Sequence, residues 1–153
     1  MPAYDASISI AAPHESVWRA LSGVVAWPEW LPTVSSVQPL DGEPLKLGSR
    51  YTVRQPKLRP ATWVVTELEP PHRFVWQARS PGLLMIAVHT VEEAPARGSH
   101  VALRFSFAGA LGAPIGWLFR SITQRYLAQE LASLKLKVEA QRRLRSRDGG
   151  GSR

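Results

Sequence analysis

The chain has 153 residues, 44% hydrophobic and 20% charged, which suits one domain that buries roughly 70% of its unfolded surface. That balance excludes whole-chain disorder. No apolar run reaches the roughly 18 residues that span a bilayer, and zero cysteines exclude disulfides, thiol catalysis and thiolate metal sites. The net charge of +7 is local: ten Lys/Arg face nine Asp/Glu up to Phe119, and nine face three from Arg120 onward. The start, Met1 to Asp5, has neither the basic end nor the apolar stretch of a signal peptide. A reducing cytoplasm is the expected compartment.

Residues 4–11 alternate apolar with polar, as a half-buried strand does. Ala12-Pro13-His14-Glu15-Ser16 opens a short helix with Pro13 in its first turn, and Val17, Trp18 and Leu21 form its apolar stripe. In Trp27-Pro28-Glu29-Trp30-Leu31-Pro32, two prolines limit any helix to about a turn. From Thr33 to Gly109, runs rich in Val, Thr, Trp and Phe are separated by turn signals such as Asp41-Gly42, Pro70-Pro71 and Pro81-Gly82. They predict strands near 33–39, 48–56, 61–69, 72–80, 84–93 and 100–108, in an antiparallel meander. A long helix follows over about 115–143, with Ile115, Leu118, Phe119, Ile122, Tyr126, Leu127, Leu131, Leu134 and Val138 at steps of three and four. Residues 1–141 form the expected domain. Residues 142–153, basic and Gly-rich, form an expected disordered tail.

This order resembles the helix-grip fold. Residues 12–21 and 27–32, with Gly48-Ser49, the turn and strand from Glu69 to Trp76, His89-Thr90-Val91-Glu92, and Gly98 through Gly109 with Leu111-Gly112, are similar to the polyketide cyclase/dehydrase and lipid-transport family. That family belongs to the START-like (SRPBCC) superfamily, and the likeness covers roughly residues 3–140. It implies an α+β architecture: a seven-stranded antiparallel sheet wrapped around a long C-terminal helix, two short helices after the first strand, and an apolar cavity between sheet and helix. Relatives of this kind include aromatase/cyclases, lipid and sterol carriers, coenzyme Q-binding proteins and chaperone-ATPase activators. Fold does not fix function among them, and no metal or organic cofactor is common to them.

The residues expected to line the cavity are Trp27, Trp30, Tyr51, Trp63, Trp76, Met85, Phe105, Phe107, Trp117, Ile122 and Tyr126. An aromatic ring with one polar edge suits an apolar ligand carrying a few polar atoms, although core packing alone accounts for any single one. Among polar candidates, His89 could act as a general acid/base and Arg54 as an oxyanion stabiliser. The bland alternatives are a structural histidine and a solvated sheet edge, and the sequence leaves open whether His89 or Thr90 faces inward. The four histidines lie singly on different elements, so neither a metal nor another cofactor is expected.

The basic residues Arg142, Arg143, Arg145 and Arg147 offer peripheral contact with an anionic surface, or simply complement a helix C-terminus. No specific nucleic-acid partner is expected, because the aromatics lie in the body and the charge in the tail. Three functions follow from this reading. The first is a non-enzymatic protein, monomer or homodimer, that binds or carries a small hydrophobic or lipid-like molecule. The second is a metal-free aromatase/cyclase or dehydratase of a poly-keto substrate. The third is an adaptor docking through its basic end on a ribosome, chaperone or membrane.

Overall fold

The computed structural model describes every residue except Glu43 and residues 150–153. Seven strands form one antiparallel sheet: β1 (Ala3–Ile10), β2 (Ser36–Pro39), β3 (Arg50–Arg54), β4 (Ala61–Glu69), β5 (Arg73–Ser80), β6 (Leu83–Ala94) and β7 (Gly98–Ala108). Their order is β1-β7-β6-β5-β4-β3-β2, so the first strand closes onto the last and the rest is a meander. Two short helices, α1 (His14–Ser22) and α2 (Trp27–Trp30), separate β1 from β2; α3 (Gly112–Leu118) and α4 (Arg120–Gly149) follow β7. This is the helix-grip fold.

Period-2 patterning sets the register. Across β1 and β7, Ile8 lies opposite Val101 and Ala6 opposite Leu103, which puts apolar side chains of both strands on one face. Between them Asp5 faces Arg104 on the wet side, and the guanidinium donates to the Asp5 carboxyl at 3.1 Å. The inner face receives α4 through Leu127, Leu131, Leu134 and Val138, all buried and spaced along one stripe. On α1, Val17 and Leu21 are buried against the same core.

The C-terminal helix differs from expectation in two ways. It breaks at Phe119, where the backbone (φ −93°, ψ 14°) leaves helical geometry and divides α3 from α4. The break follows from how α3 is held. The Tyr4 hydroxyl donates to the Gly116 carbonyl at 2.8 Å, and a Cβ on Gly112 would stand 2.7 Å from the Phe107 carbonyl oxygen. Gly109 (φ 89°) makes the preceding turn in the left-handed region, pressed against the Gly82 backbone. At the other end, α4 runs past residue 141 to Gly149 where the sequence reading expects a disordered tail. No glycine or proline interrupts residues 120–148, and side chains of this helix cap the end of β1. Lys135 donates to the Ser9 carbonyl at 3.0 Å, Arg142 donates to the Ala11 carbonyl, and Glu139 accepts the Ala11 N–H at 3.0 Å. The last four residues of the expected tail lie outside the described residues.

The Ala11 N–H, with a further donation from Lys135, holds the Glu139 carboxyl below its ordinary value of 4.5. A carboxyl depressed in the folded state adds stability above its unfolded value, and that stability is lost as pH falls through the folded one. Thermal unfolding of Glu139→Gln is therefore expected to show a loss on the order of 1 kcal/mol at neutral pH, allowing for partial exposure. The gap from the parent should close as pH falls below 4.5 and through the depressed folded value. A pH-independent gap would assign the effect to packing.

Candidate functional site

Between the inner face of the sheet and α4 lies a cavity of about 50 Å³. Trp63 on β4, Trp76 on β5, His89 on β6 and Phe105 on β7 line its sheet side, with Trp27 of α2 and Glu130 of α4 opposite. The rings interlock, Trp27 on Trp76 and Trp63 on Phe105 edge to face and Trp63 on Trp76 tilted. Trp76 lies 5.3 Å from Trp27 and 5.6 Å from Trp63, and Trp63 lies 5.8 Å from Phe105. The Trp27 indole N–H is satisfied by the Leu21 carbonyl at 3.0 Å, which fixes that ring as a wall.

The polar atoms of the cavity are not satisfied in the same way. The register of β6 with β5 and β7 sets His89 beside Phe74 and Leu103, so it faces inward and Thr90 outward. Its ring stacks on Phe74 at 4.1 Å and 9° and is only 3% exposed. Its Nε2 lies 3.7 Å from Glu130 Oε1, too far for a hydrogen bond. Both His89 Nδ1 and Glu130 Oε1 are buried without a hydrogen-bond partner. Each such atom costs about 1–3 kcal/mol, and two beside one cavity make a place where a ligand's donor or acceptor gains a partner.

The other expected site residues divide between inside and outside. Tyr51 and Phe107 are buried behind the cavity wall, Tyr51 6.1 Å from Trp76 and Phe107 5.1 Å from Phe105. Trp30 is half-buried at 6.4 Å from Trp27, and lines a cleft of about 370 Å³ on the other side of α2. Met85, Ile122 and Tyr126 are half-buried where β6 and α4 begin, and the Tyr126 hydroxyl donates to the Pro56 carbonyl.

None of these six lines the cavity, and two further expectations lie on the surface. Arg54 is exposed, because β3 alternates and turns Tyr51 and Val53 inward, so its guanidinium does not share a chamber with His89. Trp117 is 73% exposed, on a helix whose buried residues are Gly112 and Gly116. Of the basic residues, Arg142 and Arg145 line the Trp30 cleft together with Arg19 and Lys137, while Arg143 and Arg147 are exposed. Sequence reasoning missed Glu130. Its signal was present: a lone carboxyl three residues after Leu127 and four before Leu134, within the apolar stripe.

Comparison with known proteins agrees with the fold. No curated protein matches the sequence. Among solved structures, the chain is similar to the Zhui aromatase/cyclase from Streptomyces sp. R1128, at 17% identity and TM-score 0.75, covering 98% of each chain. It is similar to a Thermobifida fusca protein at 20% identity and TM-score 0.75, covering 90% of this chain and 93% of that one. It also matches the di-domain aromatase/cyclase BexL from the BE-7585A biosynthetic pathway at 23% identity and TM-score 0.71. There it covers 91% of this chain and 47% of that one, about the length of one of two domains. At these identities the likenesses establish the fold. The model of the family described as polyketide cyclase/dehydrase and lipid transport matches residues 1–139, and the chain belongs to that family.

Proposed function

We propose that this protein binds and carries a small hydrophobic or lipid-like molecule between the sheet and α4, with one polar group of the ligand held by His89 and Glu130. The observation that carries this reading is the pair of buried, unpartnered atoms, His89 Nδ1 and Glu130 Oε1, set among aromatic rings. A purely structural core has little reason to keep such a pair, since replacing both members with apolar side chains is often neutral or better. The cavity of about 50 Å³ is smaller than the roughly 300–1,000 Å³ of ligand pockets in general. Admission of a ligand therefore moves side chains, and Phe105 is a half-buried ring of the lining.

Naphthol and naphthalene test the reading, because they differ only in a hydroxyl. Calorimetric titration is expected to give naphthol about tenfold or greater preference, the worth of a hydrogen bond to a buried polar pair. Equal affinity, or no binding of either, would remove the proposal.

A metal-free cyclase or dehydratase is the second reading, and the same pair favours it. His89 would take a proton from an activated carbon of a poly-keto ligand and return it to a departing hydroxyl, with Glu130 orienting the ring. Incubation with such a ligand would then yield a product lighter by one water. Recovery of the ligand with unchanged mass leaves carriage.

A further inference from the structure

The first turn of the β3–β4 loop, the β5–β6 turn, the end of β7, α3 and the start of α4 all lie at one end of the sheet. This end carries an unusual surface. Trp117 and Leu118 are 73% and 72% exposed, with Phe119 at 36% and Leu111 at 44% beside them. Trp117 and Leu118, successive residues of α3, point about 100° apart and Phe119 follows at the break, so the three spread around a corner instead of forming a stripe. A fluid lipid surface covers such a corner without a shape made to fit it.

The charge around this corner has a single sign. Arg54, Lys57, Arg59, Arg79, Arg120 and Arg125 are all exposed, and none is in an ion pair among the described residues. No Asp or Glu occurs in residues 51–66, 70–91 or 105–129. The Tyr126 hydroxyl holds the loop of Lys57 and Arg59 against α4 through the Pro56 carbonyl, which keeps these cations on the side of Arg125. Exposed Trp and Leu ringed by unpaired Arg and Lys match the lipid–water boundary of an anionic bilayer. No helix among the described residues is long and apolar enough to cross a membrane, so the match is to lying on the surface.

We propose that this end docks on an anionic membrane, inserting Trp117, Leu118 and Phe119 while the six cations meet lipid headgroups. The docking surface stands on its own geometry. Its use, holding the protein against the lipid from which a hydrophobic ligand is taken or to which it is returned, rests on the carriage reading.

Co-sedimentation with vesicles of phosphatidylcholine, alone or mixed with phosphatidylglycerol, tests it. The protein is expected to bind the mixed vesicles and to be released by salt. The double variant Trp117→Ser/Leu118→Ser should bind at least about tenfold more weakly with an unchanged melting temperature, since both side chains are exposed. Arg120→Ser and Arg125→Ser should each cost about fivefold. Arg145→Ser/Arg147→Ser, at the far end of α4, should change nothing.

Absence of binding to mixed vesicles, indifference to the Trp117/Leu118 variant, or loss only with the Arg145/Arg147 variant would each overturn the proposal. So would a concentration-dependent dimer that the Trp117/Leu118 variant dissociates in the absence of any vesicle binding. Naphthol titration of the same preparation separates the two readings. Vesicle binding without naphthol binding keeps the docking surface and removes carriage, and naphthol binding without vesicle binding does the reverse.

Discussion

Replacing Trp76 with alanine is expected to cost about 3–5 kcal/mol, the range for truncating a large buried aromatic, and to lower Tm by roughly ten degrees in a chain of this size. Trp76 is the hub of the core. Its ring meets Trp27 at 5.3 Å, Trp63 at 5.6 Å, Phe74 at 5.7 Å, His89 at 6.0 Å and Tyr51 at 6.1 Å, three of them edge to face. Such pairs add to the area buried, and neighbours gripped from five sides cannot collapse into the hole. The same hole would open onto the cavity between sheet and α4. Saturating naphthol should therefore raise Tm more in Trp76→Ala than in the parent, because binding to the folded state alone stabilises by mass action. Chemical denaturation that places the variant within about 1 kcal/mol of the parent would show that the aromatic cluster is not the packed centre described above.

The second large effect concerns the buried polar pair. His89→Phe preserves the stack on Phe74 but removes both ring nitrogens, leaving the buried Glu130 Oε1 facing an apolar ring. The expected cost is about 2–3 kcal/mol. Adding Glu130→Leu to that background should recover most of it, since removing both members of a buried pair is far cheaper than removing one. Equilibrium unfolding of the two single variants and the double variant closes the cycle. Each single variant should also lose the preference for naphthol over naphthalene. Additive stabilities together with an unchanged preference would mean that the two residues neither sense one another nor meet a ligand.

Most of the architecture was legible in the chain because it rests on short-range periodicity. Ile8, Val101 and Leu103 alternate with polar residues, and Leu127, Leu131, Leu134 and Val138 repeat at helical steps; each pattern admits one burial face. The facing of His89 was not legible in that way. Leu83 to Val88 are apolar without alternation, as a strand in the middle of a sheet often is. The parity becomes fixed only when β6 is paired with β5 and β7, which aligns His89 with Phe74 and Leu103.

Glu130 was hidden for a different reason. A single carboxyl on a helix reads as solvated until the residues before and after it are known to be buried. The break at Phe119 was hidden as well, because Ile115, Leu118, Phe119 and Ile122 continue the apolar spacing across it. Only the anchoring of α3 by Tyr4 and by Gly112 against Phe107 reveals that Trp117 and Leu118 face away from the core.

Carriage as proposed requires that a ligand's polar group reach His89 and Glu130 within the grip of sheet and helix. Nuclear magnetic resonance of the histidine rings during naphthol titration tests it directly, because His14, His72 and His100 lie outside the cavity and serve as internal controls. The ring signals of His89 are expected to shift and saturate with the ligand while the other three stay in place. Signals of His89 that remain fixed at saturating naphthol, with any other histidine moving in its stead, would contradict it.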